Sequence, residues 1–383
     1  MKLLIHDLNE KEWEKISDRY CDWEVICDNG SIKPCIGCFG CWIKNPGECV
    51  IKDGYERVAS LMHKSEEVTI ISRYTYGGFS SFIKNVIDRC IGGVLPFFEI
   101  YEGEMHHKRR YAEDVPMNFI FRGIGLTEND KEKARCYVEA VCRNFRGHIL
   151  SIDFEEDTAS SVERTEISSS GREQGEKTIL LNCSMRGNGA NSKKFLDILS
   201  GNISEEKESM NLSSYTGRED ELIEILVFAS KLVFGMPLYV DGIPSQLVRI
   251  MEKMERQEQN GNKTIYVVAN MGFYESAQIK NLLGMVRSWC EKCGYIYGGG
   301  LAIGAGEMMG SGKLTEMRKG PAANMLIGLE KLGNVISNSQ TIEDIYADAS
   351  GFPRGFYMAC ANMSWMPMAK KNGLKKRDLY QLK

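Results

Sequence analysis

No stretch of this sequence approaches the ~18 consecutive apolar residues that read as a membrane span, so no membrane-embedded role is expected. Positive charge is not in excess either. Lys and Arg number 48 against 52 Asp and Glu, and a net charge of −4 gives no general attraction to nucleic acid or acidic lipid. The chain lacks a nucleotide loop with Gly-Lys-Ser/Thr at a helix start, and it lacks the three-glycine dinucleotide spacing. A signal peptide is not expected, because Asp7 and Glu10 interrupt the opening apolar residues too early. Cysteine is abundant at 13, but the number is odd and most lie scattered in apolar segments. That pattern argues against a disulfide framework and for reduced thiols in a cytoplasmic protein.

What is present begins with size. At 383 residues, with 43% hydrophobic and 26% charged, the chain is globular and long enough for two domains. Its 19 methionines read as flexible core filler. The stretch Lys177 to Leu199, KTILLNCSMRGNGANSKKFLDIL, organises the rest. Thr178 to Asn182 has the length and composition of a buried parallel strand, and an amphipathic pattern resumes after Ser192 at Phe195, Leu196 and Leu199. The loop between them carries Ser184, Arg186, Gly187, Asn188, Gly189, Asn191 and Ser192. A strand, a hydroxyl- and glycine-rich loop and a helix form an anion cradle, in which N–H groups and the helix N-terminus converge on a phosphate. The plainer alternative is a capped strand-to-helix turn.

Further strands of this half end in loops of related kind. Leu232 to Phe234 runs into Pro237, Leu238, Tyr239, Val240 and Asp241, and helix Ser245 to Arg256 follows. Thr264 to Ala269 runs into Asn270, Met271, Gly272, Phe273, Tyr274, Glu275 and Ser276, before helix Ala277 to Cys293. In a doubly wound sheet, ligands bind beyond the C-terminal strand ends at the switch point. The three loops therefore offer an anion site and two walls for a flat ring. Helices are also expected at Glu219 to Ala229, near Glu316 to Leu332 and at Thr341 to Ala349. The tail with Phe352, Phe356, Tyr357, Trp365 and Met366 reads as a packing or homodimer surface, with a lid over a bound ring as the alternative.

The first half shows strands at Lys2 to His6, Trp23 to Cys27, Glu67 to Ser72, Pro116 to Phe121 and His148 to Phe154. Helices are expected at Asn9 to Arg19, Asp53 to His63, Phe82 to Ile91 and Asp130 to Phe145. Such alternation implies a parallel sheet with helices on both faces. Only Asp7 and Leu8 separate the first strand from its helix, so the cradle is missing here. Leu95 to Asp114, with its basic run His106 to Arg110, reads as a solvated loop. Residues 155–176, rich in Ser, Glu and Thr, read as a linker between domains at 1–154 and 177–383. Cys35, Cys38, Cys41 and Cys49 follow the spacing Cys-x2-Cys-x2-Cys-x7-Cys. A [4Fe–4S] cluster, a zinc ion and an empty, compact turn packed around Trp42 are all open at this point.

At these residues the sequence resembles the flavodoxin-like NAD(P)H-dependent FMN reductases and, through its cysteines, the iron–sulfur flavoproteins. Ser184, Arg186, Asn191 and Ser192 match the family's phosphate loop, and Pro237 to Asp241 match its ring-bordering Pro-x-Tyr turn. The Met271 to Ser276 loop falls where the family holds the pyrimidine end of the ring. Cys35, Cys38, Cys41 and Cys49 match the cysteine motif of the iron–sulfur branch, and Arg73 to Phe79 match the ring turn except that Arg73 replaces the proline. The resemblance implies two tandem flavodoxin-like domains, each a doubly wound five-stranded parallel sheet, with a degenerate flavin site in the first and FMN in the second. It implies an oxidoreductase passing electrons from NAD(P)H through FMN to a small-molecule or quinone-like acceptor. The alternative it carries is an iron–sulfur electron carrier or redox sensor reduced by ferredoxin.

Overall fold

A computed structural model of the chain describes residues 1–157, 175–257, 263–315 and 319–383. It divides into two compact units, residues 1–157 with Gly355–Lys383, and residues 175–354. The linker expected at 155–176 therefore falls mostly outside the described residues.

In unit 1, strands alternate with helices in the order β1 (Lys2–His6), α1 (Glu10–Glu14), β2 (Glu24–Cys27), α2 (Gly40–Ile43), α3 (Val58–Lys64), β3 (Glu67–Thr75), β4 (Gly78–Phe79) and α4 (Ser81–Asp88). They continue with β5 (Val94–Tyr101), β6 (Glu104–Arg109), β7 (Val115–Gly123), α5 (Glu128–Phe145) and β8 (Gly147–Glu156). The main sheet runs β2-β1-β3-β7-β8, all parallel, with β4 folded back antiparallel on β3. This is the flavodoxin-like order, with the chain reversing direction beside β1. Leu3, Leu4, Val68, Ile70, Met117 and Phe119 are fully buried, as expected of strands covered on both faces.

The basic segment expected as a solvated loop is instead the antiparallel hairpin β5–β6, with Met105, His106 and Arg110 buried. The Arg110 guanidinium is satisfied by backbone oxygens. It donates to the carbonyls of Gly92 (2.8 Å), Leu379 (2.7 Å) and Gln381 (2.8 Å), tying the C-terminal residues to this unit. The tail, taken from sequence order as part of the second domain, thus packs on unit 1. Its helix (Arg354–Lys371, α13 in chain order) places Trp365 edge-on against Phe39 and Trp42 at 5.3 and 5.2 Å. The single helix expected over 9–19 is also shorter. α1 ends at Glu14 and one 3-10 turn follows at Ser17–Tyr20.

Unit 2 contains β9 (Gly175–Asn182), α6 (Asn191–Ser200), β10 (Lys207–Asn211), α7 (Glu219–Phe228), β11 (Ala229–Pro237), α8 (Ser245–Glu255), β12 (Thr264–Asn270) and α9 (Lys280–Cys293). It closes with β13 (Ile296–Ile303), α10 (Gly306–Met309), α11 (Gly312–Thr315), α12 (Ala323–Ser337) and β14 (Ile345–Ala347). The sheet order β10-β9-β11-β12-β13-β14 is again parallel throughout. It has six strands where five were expected. β10 is a polar edge strand, KESMN, with no apolar run to mark it. β14 has three residues and occupies the place of the helix expected at Thr341 to Ala349. α6 buries Phe195, Leu196 and Leu199 against the sheet, each side chain contributing about 1.5–3 kcal/mol. Gly235 of β11 permits the close approach, since a Cβ there would lie 2.5 Å from Leu196 Cδ1. Among the described residues no helix is long and apolar enough to cross a membrane.

Candidate functional site

The C-terminal ends of β9, β11, β12 and β13 place their loops along one edge of the unit 2 sheet. After the apolar run of β9, Asn182 is fully buried and organises the first loop. Its amide donates to Gly187 O at 2.9 Å and to Asn211 Oδ1 at 2.8 Å, while its Oδ1 accepts from the Ser184 N–H at 3.3 Å. The Arg186 N–H donates to Ser184 Oγ at 3.3 Å, so the loop turns back on itself around a buried hydroxyl. A 3-10 turn, Gly187–Gly189, delivers the chain to α6.

The N-cap of α6 is Ala190, in extended conformation at φ −81 and ψ 144, and among the described residues no side chain caps the helix. The first N–H groups of a helix need acceptors, and Ala is among the poorest N-caps. Ser184, Arg186, Asn191 and Ser192 therefore surround a helix end that the N-cap side chain does not close, with Ser184 and Ser192 buried. The corresponding end of unit 1 is closed. There α1 carries a full capping box, in which Asn9 accepts from the Glu12 N–H and Glu12 from the Asn9 N–H. The Asp7 carboxylate sits at the end of β1 and accepts from the Arg73 N–H at 3.0 and 3.2 Å. A fixed carboxylate beside a capped helix end disfavours a phosphate there.

The second loop leaves β11 at Pro237. Leu238 donates its N–H to Asn270 O at 2.8 Å, and Tyr239 and Gly242 exchange backbone hydrogen bonds of 3.2 and 3.0 Å. Between them Val240 and Asp241 both have positive φ, 39° and 58°. A β-branched residue in this region is strained by about 1–3 kcal/mol, and such strain clusters at ligand sites. Pro237, Leu238, Tyr239 and Val240 stay half-exposed at the edge, while Asp241 turns inward and is buried.

The third loop is pinned on two sides. The Gly306 N–H donates to Met271 O at 2.7 Å and the Ala305 N–H to Phe273 O at 2.6 Å. From the other side, Tyr274 Oη donates to Phe352 O at 2.5 Å, and the Ser276 N–H donates to Asp348 Oδ1 at 2.7 Å. Tyr274 thus holds the loop's shape with its hydroxyl. Burial pushes its phenol pKa up from the ordinary value, in keeping with that donor role. Gly272 and Phe273 remain half-exposed between the two pins. Among the described residues, Asn270 Oδ1 and Ser276 Oγ are buried without a hydrogen-bond partner. Buried acceptors left unmatched are rare, and at a strand's C-terminal end they are positioned for a ligand donor.

FMN fits these residues: an uncapped helix N-terminus with hydroxyls and Arg186 for a phosphate, a strained turn and a pinned turn for ring walls, and unmatched polar atoms for ring edges. Asn182, not singled out in sequence, could have been recognised as a polar residue ending an apolar strand immediately before a hydroxyl loop.

The cysteine run forms a tight turn. Phe39, at φ 56, turns the chain into the four-residue α2, and the Gly40 N–H donates to Cys38 Sγ at 3.4 Å. Burial pushes the Cys35 thiol up to about 12 and raises Cys41 well above its ordinary value. Among the described residues no group of three or more His, Cys, Asp or Glu could hold a metal ion. Of the four cysteines, Cys38 is exposed, Cys35 and Cys49 are half-buried, and Cys41 is buried next to Trp42. That indole is 2% exposed, donates to Ile91 O and Val94 O at 3.0 and 2.9 Å, and stacks on Phe39.

No protein-family model and no curated protein matches the sequence. Among solved structures the chain is similar to the Trp repressor binding protein from Bacillus subtilis, at 16% identity and TM-score 0.32, covering 40% of this chain and 96% of that one. It is similar to an azoreductase from Bacillus anthracis str. Sterne, at 14% identity and TM-score 0.31, covering 43% and 100%. It is also similar to an FMN-dependent NADH-azoreductase from Bacillus anthracis str. Ames Ancestor in complex with FMN, at 12% identity and TM-score 0.23, covering 51% and 99%. These likenesses are distant, and the flavodoxin-like assignment rests on the two sheet orders themselves.

Proposed function

We propose that this chain is an FMN-dependent oxidoreductase that takes electrons from NAD(P)H and passes them to a small-molecule or quinone-like acceptor, with FMN held by unit 2. The observation that carries the reading is the Ser184–Ser192 loop, which ends at a helix with an alanine N-cap beside the switch point of a parallel sheet. Ser184 Oγ, Arg186 and the first N–H groups of α6 would hold the phosphate. The Tyr239 turn and the Gly272–Phe273 turn would flank the ring, and Asn270 Oδ1 offers an acceptor to a ring N–H. When bound, FMN supplies the hydride- and electron-transfer chemistry, so no acid, base or nucleophile need be encoded by the chain. The residues' work is to bind, orient and partly exclude water. Unit 1, with Asp7 at the phosphate position, is proposed to bind no flavin.

The test is reductive. NADH or NADPH added anaerobically to the FMN-loaded protein should bleach the flavin's visible band, and a quinone should restore it with turnover. A flavin that stays oxidised under excess of both nucleotides would refute the donor assignment.

A further inference from the structure

We infer that the carboxylate of Glu307 is a built-in competitor for the phosphate, holding Arg186 until a phosphate ester takes it over; the inference rests on the FMN reading above. Glu307 Oε1 lies 3.5 Å from Arg186 Nη1, although the two are 121 positions apart in the chain. The contact is delivered by an anchored turn. At one end of α10, the Ala305 and Gly306 N–H groups donate to Phe273 O and Met271 O. At the other, Lys194 Nζ donates to both Asn191 Oδ1 at 3.1 Å and Gly310 O at 2.9 Å. The approach is close: a Cβ at Gly310 would lie 2.4 Å from Asn191 Oδ1 and would push that side chain aside. The turn bearing Glu307 is thereby fastened to the cradle at Asn191 and to the ring-wall loop at Met271.

The charges around the cradle give the contact its consequence. Lys193 is paired with Asp197 and Arg186 with Glu307, while Lys194 donates to two uncharged oxygens. Carboxylate and phosphate seek the same face of a guanidinium fork, and two anions on one fork repel each other. The side chains of Arg186 and Glu307 are 30% and 58% exposed, so their pairing is screened and readily broken. A phosphate carries more charge and also meets the α6 N-terminus, so it displaces Glu307. Part of its affinity is lost in doing so. A flavin without phosphate has no such contest.

Glu307→Gln tests this by binding alone. FMN Kd should fall by about two- to fivefold, the worth of an exposed ion pair, while riboflavin Kd stays the same. Inorganic phosphate should raise the melting temperature of E307Q more than that of the unsubstituted protein. In an Arg186→Ala background the Glu307→Gln change should have no effect on FMN. Weaker FMN binding by E307Q would overturn the inference by making Glu307 an orienting partner of Arg186. An unchanged Kd, or an equal gain for riboflavin, would also overturn it. Unsubstituted protein that binds FMN no better than riboflavin would instead overturn the phosphate reading itself.

Discussion

Replacing Ser184 and Arg186 together by alanine is expected to weaken FMN binding by roughly a hundred- to a thousandfold and to leave riboflavin binding nearly unchanged. The change removes one hydroxyl donor at about 1 kcal/mol and one charge-assisted donor at about 1.5–3 kcal/mol, and each 1.4 kcal/mol is about tenfold. Ser184 is buried and accepts from the Arg186 N–H, so the single Ser184 change also loosens the loop. Arg186 is half-exposed and can be removed without leaving a cavity. The difference between the two flavins is therefore the informative quantity, because loosening alone would weaken both. Equal losses for FMN and riboflavin would show that this loop does not grip the phosphate.

Mild acid is expected to unfold unit 1 well before unit 2. All five histidines of the sequence, His6, His63, His106, His107 and His148, lie in unit 1. Burial lowers His6 and His63 to about 4 and His107 to about 3, against an ordinary value of 6.5. His63 stacks on Tyr111 at 4.8 Å, and among the described residues neither of its buried ring nitrogens has a hydrogen-bond partner. His107 packs between Trp42 and Phe98, at 4.6 and 4.9 Å. These rings are neutral in the folded unit. Between pH 6.5 and about 4 the unfolded chain binds protons that the folded unit refuses, so stability is full above that window and falls as pH falls. A tenfold difference in proton affinity between folded and unfolded chain is worth about 1.4 kcal/mol. The three rings together therefore remove on the order of several kcal/mol, comparable to the whole stability of a domain. Hydrogen exchange resolved by peptide should show unit 1 opening at a higher pH than unit 2. Tryptophan emission should follow unit 1, which holds Trp13, Trp23, Trp42 and Trp365, leaving only Trp289 in unit 2. His63→Phe should shift the acid midpoint of unit 1 downward; an unmoved midpoint, or simultaneous opening of the units, would contradict the account.

Both effects rest on features of different legibility. The apolar run of β9, followed by hydroxyls and glycines, is visible because a parallel strand buried on both faces needs no alternation, and a phosphate loop needs small residues. β10 is not visible, because an edge strand can be polar along its length. The β5–β6 hairpin reads as a solvated loop because the packing of Arg110 and His107 depends on distant partners, the carbonyls of Leu379 and Gln381 and the ring of Trp42. α13 is apolar around much of its circumference, so its pattern does not say which unit it will join. At the site, Ser184, Arg186 and Ser192 are recognisable from their loop. Tyr274 is recognisable as a loop residue, but its hydroxyl faces the backbone of Phe352. Glu307 carries no local signal, since its meaning comes only from folding against Arg186.

The cysteine spacing illustrates the reverse problem. Cys-x2-Cys-x2-Cys brings thiols close in sequence, yet α2 and the Trp42 cluster bury Cys41 and leave Cys38 exposed. Short spacing does not by itself bring thiols into a common arrangement.

The most direct measurement is the number of FMN molecules that one chain binds at saturation, counted by titration with the free flavin removed. The open α6 N-terminus in unit 2 and the Asp7 carboxylate with the capping box of α1 in unit 1 together predict one FMN per chain, with protection from exchange appearing at residues 183–192. Two FMN per chain, or one FMN whose protection falls at the β1–α1 junction in unit 1, would contradict the account.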